Sequence, residues 1–348
     1  MRIFLAALLA LIALPAWAAD LPTIHLKVAG GLGQTDQFKE FEEPFWTRQL
    51  SAASGGKITA EVSPYDQDGM SGAELLQFTR LGAITIGDVP LAQVASEDPE
   101  VAGIDLAGLN GDIHQLRASI AAYMPTLTRL YRERYNIDVL AVWTNPAQVV
   151  FCNRPISGLA DLKGVKVRVA SAAHGDFVRG LGGIDITTPY NALMDALRNH
   201  VADCAITGAI SGYRLGLQRV TTHVDPVTVS WGPNILIVNH TAWQMLGEPA
   251  RAFLRQQIDA LTERIWASAD STSVEGIACV TGTGPCPEGP PGALTLVPVT
   301  DADRALERQV LSKSVLPRWA RICGAVCTEQ WNATIGRLWG LAAATSGS

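Results

Sequence analysis

Between Leu159 and Gly208 the chain reads LADLKGVKVRVASAAHGDFVRGLGGIDITTPYNALMDALRNHVADCAITG, and this stretch limits the fold most tightly. Three runs rich in aliphatic and β-branched residues, Val165–Val169, Ile184–Thr188 and Val201–Thr207, alternate with two segments of helical spacing. The first helix is expected to follow Ser171 as N-cap and to stop at Gly182–Gly183. The second places Leu193, Ala196 and Leu197 on one face. Crossovers of this length make the strands parallel. Ala170, Pro189 and Gly208 then lie beyond one carboxyl edge, where open α/β sheets bind ligands.

Arg168 is out of character in such a strand. Parallel strands are covered on both faces and apolar, so a permanent cation near the end of one needs a partner. At the carboxyl edge the guanidinium can take a ligand carboxylate as a bidentate, charge-assisted pair. The competing readings are an exposed strand-end arginine and an internal salt bridge with Asp176 or Asp203.

The run DLKGVKVR, the helix after it, LGGIDITTPYNALMDAL and the strand carrying VAD resemble the signature region of the DctP-type solute receptors of TRAP transporters. The likeness continues, more weakly, from about Ile24 to about Leu338. It implies a two-lobe α/β periplasmic binding protein (type II-like). Each lobe would hold a mostly parallel sheet flanked by helices, with crossing strands at the hinge and a long helix alongside both lobes. In that family the arginine of the KxR motif binds the ligand carboxylate, which here is Arg168. The implied organisation is lobe I over 20–144 plus about 235–268 and lobe II over 145–234 plus about 269–340, with a disordered tail at 341–348.

Met1–Ala19 carries Arg2, an apolar run from Ile3 to Leu14 and the small-residue pattern Ala16-Trp17-Ala18. These are the marks of a secretory signal peptide, whose apolar core is too short to span a bilayer. The mature chain is expected to be periplasmic, not membrane-inserted and monomeric. A net charge of −6 argues against nucleic-acid binding and makes any anion site depend on local cations.

Six cysteines in an exported chain read first as disulfides. Cys152 and Cys204 lie on two expected neighbouring strands. Cys279 and Cys286 bracket a Gly/Pro-rich loop, and three residues separate Cys323 from Cys327. These three pairs are the expectation, with cross-pairing among the last four as the alternative. Their spacings fit no familiar zinc pattern, and no metal or other cofactor is expected.

In the first half, Thr23–Val28 reads as a strand ending in Gly30-Gly31-Leu32-Gly33, which matches neither the Walker pattern nor a full GxGxxG. Helical spacing runs from Gln37 to Ala53, then strands over Ile58–Val62 and Ala83–Gly87. This second βαβαβ order brings the loops Gly30–Gln34, Tyr65–Gly69 and Asp88–Val89 to one edge. Gln34, Asp68 and Asp88 are the candidate polar contacts there, although all three are also ordinary turn and cap residues. Pro99–Asn110 reads as an extended connection before helices over Ile113–Tyr135.

Against the family pattern, Gln148 stands where a second arginine is common. The anion then rests on Arg168, with an amide or hydroxyl expected opposite Gln148. Val227–Asn239 would cross back between lobes. It offers Trp231 as an aromatic cover or a hinge-packing residue, and Asn234 as donor and acceptor. Tyr190 and Thr207 complete the candidate set. Pro249–Ser271 is a long amphipathic helix. Cys279–Pro291 is an insertion relative to the family, and Trp319, Trp331 and Trp339 are expected in the second-lobe core.

An enzyme is the reading set aside. The six histidines form no HExxH, the chain has no GxSxG, and His174 reads as a helix N-terminal residue. The leading expectation is a receptor that captures a small organic acid and hands it to the TRAP membrane permease. A receptor that presents its ligand to a membrane kinase is the alternative.

Overall fold

The computed structural model describes residues 21–345, so the expected signal peptide lies outside the described residues. Two sheets carry the architecture. The first is assembled from β1 (Ile24–Gly30), β2 (Ile58–Pro64), β3 (Ile86–Pro90) and β4 (Ile137–Thr144). The second begins with β5 (Gln148–Cys152), β6 (Lys166–Val169), β7 (Ile184–Thr187), β8 (Cys204–Gly208) and β9 (His223–Ser230). β10 (Pro233–Asn239) returns to the first sheet and β11 (Thr295–Leu296) to the second. The orders are β2-β1-β3-β10-β4 and β11-β9-β5-β8-β6-β7.

Both sheets are mixed for the same reason. β1, β2 and β3 run parallel, while β10 enters antiparallel between β3 and β4. In the second sheet β6, β7 and β8 run parallel, and β5 enters antiparallel between β8 and β9. The chain passes between the sheets three times, at Asn145–Ala147, at Trp231–Gly232 and along the Glu248–Thr281 helix, and each of the first two crossings delivers a strand opposed to its neighbours. Asp105 fixes the second crossing, accepting from the backbone N–H groups of Trp231 and Gly232, both at 2.8 Å.

The helices follow from local chemistry. Ser171 caps Ala172–Gly180 by accepting from the His174 N–H at 3.2 Å. Ser71 and Glu74 form a reciprocal capping box on Gly72–Arg80. Leu193, Ala196 and Leu197 are buried on the Leu193–Arg198 helix, as their spacing predicts. The Glu248–Thr281 helix runs ten residues beyond the expected Ser271. Gly276 makes that extension possible, because a Cβ there would overlap the backbone of Ala209 and Ile210, where the Ala209–Leu215 helix begins.

Several expectations need correction. The third strand lies at Ile86–Pro90 instead of Ala83–Gly87, because Ala83 and Ile84 donate back to the Phe78 carbonyl and finish the preceding helix. The Pro99–Asn110 connection contains a helical turn at Pro99–Ala102, with proline at its first position. Trp319, Trp331 and Trp339 donate to Pro99 O, Gly103 O and Ser119 Oγ at 2.7–2.8 Å. The C-terminal helices thus pack on the connection and on the Ile113–Tyr135 helix, where those acceptors lie. Ala343, expected in a disordered tail, is buried and exchanges two 2.8 Å hydrogen bonds with the Asn332 side chain.

The disulfides are Cys152–Cys204, Cys279–Cys286 and Cys323–Cys327. The first joins residues directly opposite in the β5–β8 ladder, with Cα atoms 4.0 Å apart. These are the three local pairs expected.

Candidate functional site

Arg168 is the centre of the candidate site. Its strand carries it to the carboxyl edge of the second sheet, yet the residue is only 2% exposed. It is the one lysine or arginine that is buried among the described residues. Nε and Nη2 donate to the Thr188 carbonyl at 3.0 and 2.7 Å, and Nη1 donates to the Ile206 carbonyl at 3.2 Å. Neither expected internal partner pairs with it. Asp176 binds Arg179 and Arg318, and the Asp203 carboxylate accepts from the Lys166 backbone N–H. A guanidinium has five N–H donors, so one each on Nη1 and Nη2 is left over, as a planar fork beside uncharged carbonyls. Burial lowers the Arg168 pKa to about 10, still well above neutrality. The result is a fixed, desolvated positive charge with two free donors.

Residues from four other elements converge on this edge. Register places Gln148 opposite both Gly208 and Ser230, and Arg168 opposite Ala205. Gln148 donates its amide to Pro146 O at 2.8 Å and is half-buried. Tyr190 lies close enough to Arg168 for each to act on the other's titration; burial raises the phenol pKa, and Ser211 and Arg168 pull it back. Thr207 is buried on β8, next to the Ile206 carbonyl that holds Arg168.

The sequence reading of His174 was incomplete. Its ring is 5% exposed, Nε2 meets Ser230 Oγ at 2.5 Å, and Nδ1 has no partner. Burial first, and then the Arg168 charge, push its pKa down to about 3, so the ring is neutral.

On the first lobe the expected loops do converge: Gly33 N donates to Asp66 Oδ1 at 2.9 Å, and a Cβ on Gly31 would stand 2.7 Å from Asp88 Oδ2. The candidate side chains behave differently from one another. Gln34 is exposed and accepts from Lys39, and Asp68 is exposed and accepts from Ser63 Oγ at 2.5 Å. Both are turn residues facing solvent, because short polar side chains beside glycine serve the loop itself. Asp88 and Asn234 are brought together, but as partners of each other: Asn234 Nδ2 donates to Asp88 Oδ2 at 2.8 Å. Gln37 Nε2 reaches both Asp88 and Glu42 at 3.0 Å, and the Gly31 N–H donates to Glu42. Glu42 and Asp88 are fully buried. Burial, followed by the Glu42 charge, drives Asp88 well above the usual carboxylate range, and burial raises Glu42 as well, so two buried acids share the Gln37 and Asn234 amides behind this edge.

Trp231 takes the hinge-packing role. It is buried, and its indole N–H donates to Asn110 O at 3.0 Å, which spends its one polar donor inside the protein. The lobes also touch at Arg214, which contacts Asp36 and Glu40 of the first lobe and holds Glu288, just beyond the Cys279–Cys286 disulfide, through two 2.7 Å bonds.

His174–Ser230 and Glu42–Asp88 were missed because each pair spans 46 or more residues. A serine cap three residues before a histidine was the visible part of the first.

The family model for "Bacterial extracellular solute-binding protein, family 7" matches residues 34–278. Among solved structures, a TRAP periplasmic solute-binding protein from Desulfovibrio salexigens with bound orotic acid is 16% identical, with 90% of this chain and 99% of that chain covered and a TM-score of 0.76. DctP6, a Bordetella pertussis extracytoplasmic solute receptor binding pyroglutamic acid, is 19% identical over 89% and 99%, at 0.77. A receptor from Shewanella oneidensis with bound succinate is 17% identical over 90% and 99%, at 0.71. Two sheets joined by paired crossings, a long helix along both, and this family match over most of the chain lead to one assignment: the protein belongs to family 7 of the bacterial extracellular solute-binding proteins, the DctP family, which are solute receptors and not enzymes.

Proposed function

We propose that this chain is the periplasmic receptor of a TRAP-type transporter, that it captures a small organic acid between its lobes with Arg168 on the carboxylate, and that it delivers the acid to the membrane permease. The observation that carries the reading is Arg168 itself, a buried guanidinium held by two backbone carbonyls, with two free N–H donors and no carboxylate partner among the described residues. A buried cation without a counter-charge costs free energy, and an incoming carboxylate offsets that cost.

The solved relatives with orotic acid, pyroglutamic acid and succinate all hold carboxylates, in keeping with this choice of anchor. Gln148 offers an amide where a second cation would be needed for a dianion, which favours a single carboxylate. Tyr190 and Thr207 line the same edge, and Asp88 with Asn234 backs the opposing lobe. The lobes of 20–144 with about 235–268, and of 145–234 with about 269–340, would close about the crossings at Asn145–Ala147 and Trp231–Gly232, with ligand contacts to both lobes favouring the closed form. The Met1–Ala19 leader would direct export, and the receptor would work as a monomer.

A thermal-shift screen of refolded mature protein tests the reading, with monocarboxylates, dicarboxylates, aromatic acids and neutral sugars as probes. A ligand at about a hundred times its Kd adds roughly 2.7 kcal/mol. A shift for one class of acid supports the proposal; a shift for neutral sugars alone rejects it.

A further inference from the structure

We infer that His174 is a second ligand-binding residue, which presents a neutral Nδ1–H to the bound acid beside Arg168, with Ser230 holding the ring in the required tautomer. This deepens the acid-receptor reading above and rests on it.

The inference starts from bonding capacity. A neutral imidazole has one donor nitrogen and one acceptor nitrogen, and the partner of one fixes the role of the other. The Ser230 hydroxyl makes its single side-chain hydrogen bond among the described residues to His174 Nε2, at 2.5 Å. A hydroxyl both donates and accepts; with the Ser230 proton assigned to Nε2, the ring proton falls on Nδ1. Yet Nδ1 is buried and has no partner. A buried N–H left unsatisfied costs on the order of 1–3 kcal/mol, so native proteins seldom keep one without a use.

Position supplies the use. His174 sits in the first turn of the Ala172–Gly180 helix, directly after the Arg168 strand, and feels the Arg168 charge. Ser230 ends β9 opposite Gln148, at the same edge. A protonated histidine here would repel Arg168, whereas a neutral Nδ1–H adds a donor for a carboxylate oxygen without adding charge. The helix N-terminus points the same way, since its free N–H groups favour an anion. The site then reads a carboxylate with an arginine fork and one imidazole donor, and it remains selective for a single negative charge.

The test is side-chain NMR on protein labelled with 15N in histidine and arginine, titrated with acetate, pyroglutamate, succinate and orotate. The expected result is a His174 signal protonated on Nδ1 and bare on Nε2, shifting at Nδ1 together with the Arg168 Nε signal when an acid binds. His174→Phe should then lower affinity for that acid roughly 10- to 100-fold, the range for a hydrogen bond to a charged group. Ser230→Ala should give a smaller loss with mixed tautomers. An Arg168 shift with His174 unmoved, or a His174 proton on Nε2, overturns the inference and leaves the receptor reading standing. If neither residue responds to any of the four acids, both are overturned.

Discussion

The guanidinium of Arg168 grips the backbone of Thr188 with two donors on one carbonyl oxygen, Nε at 3.0 Å and Nη2 at 2.7 Å. The grip orients the fork but neutralises none of its charge. Replacing Arg168 with methionine removes a desolvated cation and leaves the Thr188 and Ile206 carbonyls short of a donor, two effects that oppose each other. Urea unfolding of ligand-free Arg168→Met should therefore fall within about 1–2 kcal/mol of the parent. A loss above about 4 kcal/mol would make the arginine a structural strut.

Stability should decline as pH rises. Burial is the main cause that lifts Asp225 to about 6 and Glu307 to about 7, against the pull of the Val227 N–H on the first and of Arg304 and Arg308 on the second. An acid whose folded pKa lies above its unfolded value binds its proton more tightly when folded. Its contribution is complete below the unfolded pKa, near 4, and is lost as pH climbs through 6 to 7. Each group contributes on the order of 3 kcal/mol at most. The melting temperature of ligand-free protein should fall between pH 5 and pH 8, and Glu307→Gln should flatten that slope. A melting temperature that rises over this range would refute the assignment.

Cys152 and Cys204 face each other across β5 and β8 and close a loop of 52 residues. Chain-entropy arguments give about 4 kcal/mol for such a loop, and less for the Cys323–Cys327 pair, which is separated by 4. The double variant Cys152→Ala/Cys204→Ala should lose close to that amount in chemical denaturation. Loss of under 1 kcal/mol would mean that the ladder alone holds the strands.

Arg214 joins the lobes through Asp36 and Glu40, while Glu288 steadies it from just beyond the Cys279–Cys286 disulfide. These groups are part-exposed, so the bridge is worth roughly 1 kcal/mol. Arg214→Met should shift the ligand-free population toward open forms, seen as a larger radius of gyration in small-angle scattering, and should weaken acid binding about fivefold. An unchanged radius together with unchanged affinity would remove Arg214 from the closure equilibrium.

Local signals carried far along this chain. The alternation of strand and helix from Leu159 to Gly208, the Ser171 cap and the Leu193 face were legible because each depends on residues a few positions apart. Arg168 was legible because a charge is out of place in a covered strand. Gln34 and Asp68 stand exposed in turns, where a polar side chain at a sheet edge serves the loop as readily as a ligand. The partners of Asp88 and the Ser230 contact of His174 depend on strands that meet only when the fold closes, 146 and 56 residues away in sequence. The third strand slipped because the chain used Ala83 and Ile84 to end a helix, a choice that propensity does not record.

The most direct measurement is a calorimetric cycle: parent and Arg168→Met, each titrated with an acid that the thermal-shift screen identifies and with its carboxamide analogue. The account predicts that the parent favours acid over amide by about 2–5 kcal/mol, the range for a buried charge pair, and that Arg168→Met loses nearly all of that preference. Equal binding of acid and amide by the parent, or a preference that survives in Arg168→Met, would contradict Arg168 as the carboxylate anchor.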